Sequence, residues 1–432
     1  MKPVKVGICG LGTVGGGTFD VLTTNAQNIA RRAGREIIVA QIGARRPNPA
    51  YDTSTIPMTN DIFDVAKNPE IDVVVELIGG YEVARELVLT AIEHGKHVVT
   101  ANKALIAEHG AEIFAQAEAK GVSVMYEAGV AGGIPIIKAL REGLAANRIN
   151  WLAGIINGTG NFILTEMRDK GRDFNDVLAE AQQLGYAEAD PTFDVEGIDA
   201  AHKLTILASI AYGIPLQFDR CYTEGISNIT RDDVEFAEEL GYRIKHLGVS
   251  RQTEKGIDLR VHPTLIPEAR PIAKVDGVLN AVMVNGNAVG DTLYVGAGAG
   301  AGPTASAVVA DIIDLARTLE ADASVRVNHL AYNEIEDEQV LPMEEVVTSY
   351  YLRLQVQDKT GVLASVATIL SERGINIEAI IQKEPKEGEE LAQIILLTHR
   401  IVEKAMNAAI AAIEALESTV GAVTRIRVEQ LD

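Results

Sequence analysis

A glycine-rich turn between a strand and a helix constrains the fold of this chain more than any other feature. The apolar run Val4–Cys9 leads directly into the turn, and a helical pattern follows it. In a G-x-G-x-x-G turn the first glycine permits the tight bend, the second lets the backbone approach a pyrophosphate, and the third lets the helix pack on the strand. The pattern predicts a dinucleotide site, although an ordinary glycine-rich turn can share it. The residues expected to contact the dinucleotide are Gly10, Leu11, Gly12, Thr13, Val14 and Gly15.

Residues 1–135 alternate short apolar runs with helical patterns. Runs rich in valine and isoleucine are typical of buried strands, and the alternation predicts a parallel sheet with right-handed crossovers. We therefore predict an N-terminal Rossmann-like α/β domain, completed by a helix at about residues 303–320. The predicted strands are Val4–Cys9, Ile37–Ile42, Val73–Ile78, Val98–Thr100 and Val122–Tyr126.

The end of the second predicted strand bears on the choice of dinucleotide. An acidic residue at this point commonly holds the adenosine ribose, but here Ile42 is followed by Gly-Ala-Arg45-Arg46. An arginine can instead pair with a 2′-phosphate. We predict NADP in preference to NAD, with Arg45 as the contact, while a solvated pair of loop arginines is the alternative.

The rest of the chain predicts two further units. Residues 136–302 mix helical segments, one of them at Asp232–Leu247, with alternating strands, which predicts an α+β domain. Residues 321–347 are expected to form a linker. Residues 348–432 show the order β-α-β-β-α-β, which is the ferredoxin-like arrangement.

Composition excludes several classes of protein. The 432 residues carry a formal net charge of −21, so nucleic acid and anionic membrane surfaces are poor partners. Two cysteines cannot form a disulfide framework and suggest a reducing compartment. The longest apolar stretch, residues 204–216, is too short to span a bilayer, and the N-terminus has no apolar signal core. We expect a cytoplasmic protein.

Lysines and carboxylates are concentrated where a cofactor cleft is expected. Lys103 follows the fourth strand, at the carboxyl edge of the sheet where open α/β folds bind ligands. An acidic loop contains Glu188 and Asp194, and Asp199 and Lys203 stand four residues apart on one helix face. Acidic side chains suit a substrate with an ammonium group, and a lysine suits proton transfer at a hydroxyl or carbonyl oxygen. Taken alone, such a pair is also typical of an exposed helix surface.

The order of the motifs resembles that of homoserine dehydrogenases over residues 1–320, and residues 349–432 resemble an ACT domain. The resemblance implies NAD(P)-linked interconversion of L-homoserine and L-aspartate 4-semialdehyde, on the route to threonine, methionine and isoleucine. The motifs that carry it are Gly10–Gly15, Thr100–Lys103, Glu127–Pro135, Asn157–Phe162, Gly185–Glu188, Asp199–Lys203 and Gly296–Thr304. This chain has Phe162 where the family often has tyrosine, and we assign that position no chemical role.

The resemblance implies that residues 136–302 are the substrate-binding, catalytic and dimerisation domain. It also implies roles for single residues. Lys203 is the expected acid/base at the C4 oxygen, with Lys103 and Asp199 as further catalytic residues. Lys103 is also expected to bind substrate and cofactor. Glu188 is expected to take the substrate ammonium, supported by Asp194. Additional cofactor contacts are implied at Thr100 and Gly302. A monovalent cation such as Na⁺, held mostly by carbonyl oxygens, is implied at Glu127, Val130, Gly132 and Ile134.

The C-terminal unit resembles modules that bind amino acids at their interfaces. A helix N-terminus after Asp358 and Gly361 can receive a carboxylate, and Asn376 follows that helix. We expect feedback control, with threonine as the effector, and a homo-oligomer, either a dimer or a tetramer. A dimerisation module without a ligand is the alternative.

Two other functions are compatible with parts of the sequence. A semialdehyde dehydrogenase that acylates needs an activated cysteine nucleophile, and neither Cys9 nor Cys221 has a suitable setting. A non-catalytic sensor would join a nucleotide-binding domain to a ligand-binding module, but it would not need the lysines and carboxylates of the cleft.

Overall fold

The computed structural model describes residues 2–321, 326–383 and 391–432. These residues form two sheets, one with six strands and one with eleven. Within the described part of the chain, no helix combines the length and the hydropathy needed to cross a membrane.

The first sheet is parallel throughout and has the strand order β3-β2-β1-β4-β5-β6. The chain leaves the central strand β1 in one direction and returns on its other side at β4, so β1 and β4 flank the point where the order reverses. Ligands of open α/β sheets bind outside the carboxyl ends of the strands at such a point. The strands are β1 Val4–Cys9, β2 Ile37–Gly43, β3 Met58–Thr59, β4 Val73–Glu76, β5 His97–Thr100 and β6 Val124–Met125.

Helices cover both faces of this sheet. One of them, α12, comes from late in the chain and packs against α1 and α2, and its Val308, Ile312 and Leu315 share a buried core with Ile8 of β1. The helical pattern after the glycine-rich turn is two helices, separated at Asn25. The helices of this unit are α1 Thr13–Thr24, α2 Ala26–Ala33, α3 Ile62–Lys67, α4 Glu82–Glu93, α5 Lys103–Lys120 and α12 Ala301–Thr318.

The middle of the chain supplies one half of the second sheet, in the order β12-β11-β7-β9-β10. Its strands are β7 Ile149–Ile155, β8 Tyr222–Thr223, β9 Tyr242–Thr253, β10 Gly256–Pro267, β11 Leu279–Gly286 and β12 Gly290–Ala297. Its helices are α6 Ile136–Lys138 with a following π-turn, α7 Gly158–Lys170, α8 Phe174–Gln183, α9 Thr192–Val195, α10 Ile198–Tyr212 and α11 Arg231–Glu239.

The predicted helix at Asp232–Leu247 is wrong in its second half. The helix α11 ends at Glu239, and Gly241 adopts a left-handed φ of +82° that directs the chain into β9. All twelve residues of β9 then pair antiparallel with β10. This continuous pairing outweighs the helical spacing of the apolar residues, because tertiary contacts override local propensity.

The C-terminal residues form the ferredoxin-like unit that the sequence predicts. Its four main strands lie in the order β17-β13-β15-β14, with two helices. The elements are β13 Val347–Gln357, α13 Val362–Glu372, β14 Ile377–Lys383, β15 Leu391–Thr398, β16 Ile401–Val402, α14 Glu403–Glu414 and β17 Thr424–Val428.

This unit continues the sheet of the middle domain. The last strand, β17, pairs in parallel with β10. Two ion pairs cross the junction: Arg260 of β10 contacts Glu429 at 2.6 Å, and Arg427 of β17 contacts Glu224 at 2.8 Å. The strand pairing and the buried charges fix the C-terminal unit to the middle domain.

Residues 322–325 of the expected linker lie outside the described residues, and residues 326–347 pack against both the N-terminal unit and the middle domain. His329 stacks on Phe114 of α5, with ring centroids 4.7 Å apart, and Tyr332 donates a hydrogen bond to the carbonyl of Ala211 in α10. Val340 pairs with Ile257 of β10. Residues 326–346 therefore join the N-terminal unit to the middle domain.

Candidate active site

The glycine-rich turn has the geometry that its motif requires. Gly10 has a φ of +98°, and a Cβ there would lie 2.5 Å from the carbonyl oxygen of Leu77. A Cβ on Gly15 would lie 2.0 Å from the carbonyl oxygen of Gly10. A Cβ on Gly12, in contrast, would meet no atom within 4 Å. Two of the glycines are required by packing, whereas Gly12 borders open space at the N-terminus of α1.

A cavity of about 1300 Å³ lies against this turn. It is lined by Gly10 and Gly12, by Ile78 after β4, and by Arg45 and Arg46 after β2. Both arginines are exposed. Asn48 donates a hydrogen bond of 3.0 Å to the carbonyl of Leu11 and so holds the arginine loop against the glycine-rich turn. The cavity suits the adenosine half of a dinucleotide.

A second helix N-terminus lies beside the first. A Cβ on Gly17 of α1 would lie 2.6 Å from the carbonyl oxygen of Ala301, so the first residue of α12 lies against the second turn of α1. Gly302 is exposed at the start of α12, and a Cβ there would meet no atom within 4 Å. Two helix N-termini at one place favour an anionic group.

Thr100 is fully buried at the end of β5, and its hydroxyl donates a 2.5 Å hydrogen bond to Glu76. The second carboxylate oxygen of Glu76 accepts from the amides of Ile78 and Gly79. Burial raises the pKa of Glu76. Glu76 was not predicted as a site residue; its carboxyl group connects the loops after β4 and β5 through these hydrogen bonds. The only sequence signal is an acid at the end of a strand that is otherwise entirely valine.

The predicted lysines and Asp199 do come together. Asp199 is 4% exposed, and its two carboxylate oxygens contact different lysines. Oδ1 lies 3.1 Å from Nζ of Lys103, and Oδ2 lies 2.6 Å from Nζ of Lys203. Lys203 also donates a 2.7 Å hydrogen bond to the carbonyl of Ile156, at the end of β7. The cluster therefore joins α5, α10 and β7.

The two lysines have opposite electrostatic settings. Burial lowers the pKa of Lys203, and the charge of Lys103 adds to this effect, so Asp199 compensates only in part. Burial also opposes the charge of Lys103, but Asp199 and Asp194 outweigh it and raise the pKa of Lys103. Burial opposes the charge of Asp199, but the two lysines hold its pKa below the usual range. Lys203 is the amine better suited to exchanging a proton.

The two predicted ammonium ligands lie in different settings. Asp194 is half-buried beside the cluster and accepts a 2.7 Å hydrogen bond from Asn157, which also donates to Asp199 at 2.8 Å. Glu188 is exposed, and its backbone carbonyl accepts from Gln182. Asn157 belongs to a motif of the sequence but was not predicted as a site residue, although an asparagine between a strand and a helix is typical of a helix cap.

The predicted cation loop lies between the two units. Ala131 and Gly132 have φ values of 55° and 52°, and the amide of Gly133 donates to the carbonyl of Ala297. Ala297 ends β12 and lies in the second glycine-rich turn, Gly296–Thr304. The Glu127 carboxylate accepts from the amides of Ile137 and Lys138. Burial and the neighbouring Asp311 raise the pKa of Glu127 to about 8.

The carbonyl oxygens of this loop fit a hard cation in one respect. Among the described residues, no hydrogen-bond donor reaches the carbonyl oxygen of Val130 or of Gly132, and both residues are buried. The carbonyl oxygen of Ile134 accepts from the amide of Ile136. Two buried carbonyl groups are thus free for a cation, which prefers oxygen ligands of this kind.

The predicted effector residues are exposed in the C-terminal unit. Asp358 lies between β13 and α13, and Gly361 is the cap residue of α13, with a φ of +88°. Asn376 lies before β14, and its carbonyl accepts from the amide of His399. Gly361 leaves the first turn of α13 without a side-chain cap.

Neither cysteine has the setting of a nucleophile. Cys9 is buried in β1, and burial and Glu76 raise the pKa of its thiol. Burial raises the pKa of the Cys221 thiol to about 12. A nucleophilic cysteine needs a lowered pKa and access to substrate, so both sites argue against acylating chemistry.

Comparison with known proteins gives three matches to family models along the chain. Residues 10–127 match the NAD-binding domain of homoserine dehydrogenase, residues 135–313 match homoserine dehydrogenase, and residues 350–418 match the ACT domain.

Individual relatives are similar over the full length. A homoserine dehydrogenase of Pseudomonas aeruginosa is 71% identical, with 100% of both chains covered. The crystal structure of a homoserine dehydrogenase from Thiobacillus denitrificans is 63% identical with a TM-score of 0.96, covering 100% of this chain and 99% of that one. A hyperthermophilic archaeal homoserine dehydrogenase in complex with NADPH is 26% identical with a TM-score of 0.63, covering 74% of this chain and 98% of that one.

Proposed function

The chain belongs to the homoserine dehydrogenase family, and from this we propose that it interconverts L-homoserine and L-aspartate 4-semialdehyde with NADP, in the synthesis of threonine, methionine and isoleucine. It is an oxidoreductase that acts on a CH–OH group, with an NAD(P)-binding domain and an ACT domain. The observation that supports the chemistry best is the Lys103–Asp199–Lys203 cluster beside the dinucleotide-binding unit.

Lys203 is the residue that exchanges the proton of the C4 oxygen. An ammonium group has three hydrogens, and two of those on Lys203 are directed at Asp199 and at the carbonyl of Ile156. The third is left for the substrate oxygen. In the reducing direction Lys203 gives this proton to the oxygen as the aldehyde becomes an alcohol, and in the oxidising direction the neutral amine removes it. The bound dinucleotide supplies or accepts the hydride at C4.

Carboxylates hold the amino end of the substrate. Asp194 has one oxygen bound to Asn157, and no described residue forms a hydrogen bond or ion pair with the other. Glu188, on the exposed loop before α9, supplies a second negative charge. A substrate ammonium group held by these residues would place its hydroxyl end toward Lys103 and Lys203.

NADP is the preferred dinucleotide in this proposal. Arg45 and Arg46 line the cavity at the carboxyl end of β2, and no acidic residue stands at this point in the sequence. A guanidinium group can bind a 2′-phosphate with two hydrogen bonds, whereas a carboxylate would repel it. The other proposed contacts are the turn residues 10–15, Thr100 through its backbone, Lys103 and Gly302.

A monovalent cation is proposed at the loop of Glu127, Val130, Gly132 and Ile134, where it would stabilise the contact with the second glycine-rich turn. A melting-temperature comparison in sodium chloride and choline chloride of equal ionic strength tests it without an activity readout. Sodium is expected to raise the melting temperature of the wild-type protein. Equal values in the two salts would count against the site.

Threonine is the proposed effector, bound near Asp358, Gly361 and Asn376, and a dimer or tetramer is the proposed assembly. Truncation before β13 is a poor test, because it would remove β17 from β10 and leave Arg260 without Glu429. A threonine titration of the Asp358→Ala/Asn376→Ala variant is better. It is expected to require more threonine for inhibition, and a curve equal to that of the wild type would oppose this role.

The cytoplasmic location stays a prediction.

The enzymatic proposal is tested by following NADPH absorbance after addition of L-aspartate 4-semialdehyde. Loss of NADPH with formation of homoserine is the expected result. No aldehyde-dependent loss of NADPH would contradict it, and would favour a binding protein without catalysis.

A further inference from the structure

Asn157 contacts two acidic side chains of the candidate site, Asp194 and Asp199. It lies between β7 and α7 and is 5% exposed. Its Nδ2 donates to Asp194 at 2.7 Å and to Asp199 at 2.8 Å, and its Oδ1 accepts from the amide of Gly160 at 2.8 Å. The opposite orientation of the amide would place an oxygen against two carboxylates. The network therefore determines which way the side chain points.

We propose that Asn157 is a positioning residue that holds Asp194 and Asp199 side by side as carboxylates, so that Asp199 fixes the lysines while Asp194 receives the substrate's ammonium group. This inference rests on the proposed function. It assigns the two carboxylates different tasks, which follow from their contacts. Both oxygens of Asp199 face lysines, whereas Asp194 has one oxygen with no partner among the described residues.

Two carboxylates that share one amide donor, one of them buried and the other half-buried, would otherwise favour protonation of one of them. Burial and the charge of Asp199 raise the pKa of Asp194, and the hydrogen bond from Asn157 acts in the opposite direction. Lys103 from α5 and Lys203 from α10 are the cations that face this pair. Because both lysines contact Asp199 directly, Asp194 depends more on Asn157 to remain charged.

Asn157 also caps α7, so a test must separate the cap from the bridge between the carboxylates. Serine and aspartate are both good cap residues, but neither can donate two hydrogen bonds to carboxylates. Asn157→Ser keeps the cap and removes the bridge. Asn157→Asp keeps the cap and adds a third negative charge. Asn150→Asp is a matched control, since Asn150 is the second residue of β7 and its side chain contacts Asn285 instead.

The experiment measures steady-state kinetics in both directions across a pH series, together with NADPH affinity and melting temperature. We expect Asn157→Ser to raise the KM for homoserine about tenfold or more, with a smaller loss in kcat. The increase should grow as the pH falls, because Asp194 loses its charge more readily. Asn157→Asp should move the pH dependence assigned to Lys203 to higher pH, since added negative charge favours the ammonium form. Asn150→Asp should change neither quantity.

If the wild type is active and folded Asn157→Ser has an unchanged KM and pH profile, the positioning role of Asn157 is overturned. The proposed function is not affected by that result. Equal losses in Asn157→Ser and Asn150→Asp would overturn the positioning role as well, because the effect would then not depend on the carboxylates. A wild-type protein that does not oxidise homoserine would overturn the proposed function itself.

Discussion

Substitution of Asp199 by asparagine separates the charge of the cluster from its shape. The asparagine oxygen can still accept a hydrogen bond from Lys203, which lies 2.6 Å from the carboxylate in the native protein. An opposite charge at such a distance changes a pKa by about 1–3 units. Each unit corresponds to about 1.4 kcal/mol of interaction between the two protonation states. Because Asp199 favours the ammonium form, its loss should lower the pKa of Lys203 further.

The direction of the effect on the rate follows from the role of Lys203. Reduction of the aldehyde needs the protonated amine, so its rate falls as the pH rises through this pKa. In Asp199→Asn that fall should begin about 1–3 pH units lower. Oxidation needs the neutral amine, so the increase of the oxidation rate with pH should also move to lower pH. The maximum oxidation rate should decrease, because Lys103 also loses its ion pair with Asp199.

The assay is kcat/KM in both directions as a function of pH. Asp176→Asn is a suitable control, since it removes the same charge from an exposed position on α8. Transitions at the same pH in Asp199→Asn and in the wild type would refute the reasoning, because Lys203 would then not be the group that controls the rate.

Three further predictions concern the cofactor site and the junction of the two units. Gly12→Ala should weaken NADPH binding at least tenfold, about 1.4 kcal/mol, with an unchanged melting temperature, because its methyl group enters only the space expected for the pyrophosphate. Gly143→Ala is the control, because a Cβ at Gly143 also meets no atom within 4 Å. Equal NADPH affinities in Gly12→Ala and Gly143→Ala would contradict the placement of the pyrophosphate beside Gly12. Arg45→Glu should reduce the preference for NADPH over NADH about 10- to 100-fold in kcat/KM, and an unchanged ratio would remove Arg45 from recognition. Arg427→Leu should destabilise the protein by about 3 kcal/mol in urea unfolding, because Glu403 stays buried with fewer partners; a loss below about 1 kcal/mol would contradict this.

Local patterns were sufficient for the parts of the fold that depend on neighbouring residues. The strand, glycine-rich turn and helix at residues 4–24 were predicted because each glycine has a role within a few residues. The order of elements in the C-terminal unit was predicted for the same reason. The strand β9 was missed because it is specified by pairing with β10, which the spacing of its apolar residues does not reveal.

Contacts between distant parts of the chain could not be predicted. The pairing of β10 with β17 joins residues that are more than 150 positions apart, and nothing in either segment indicates its partner. The same holds for the site. Asp199 and Lys203 were expected together because they are four residues apart, whereas the donor role of Asn157 depends on three elements meeting in space.

The most direct test of the account is the turnover of Lys203→Ala. This variant is expected to fold and to bind NADPH as the wild type does, while kcat falls about 10²- to 10⁴-fold, because the proton of the C4 oxygen has lost its carrier. NADPH affinity and melting temperature, measured on the same preparation, show whether the loss is specific to the chemical step. A kcat near that of the wild type would contradict the account, since another group would then have to exchange the proton.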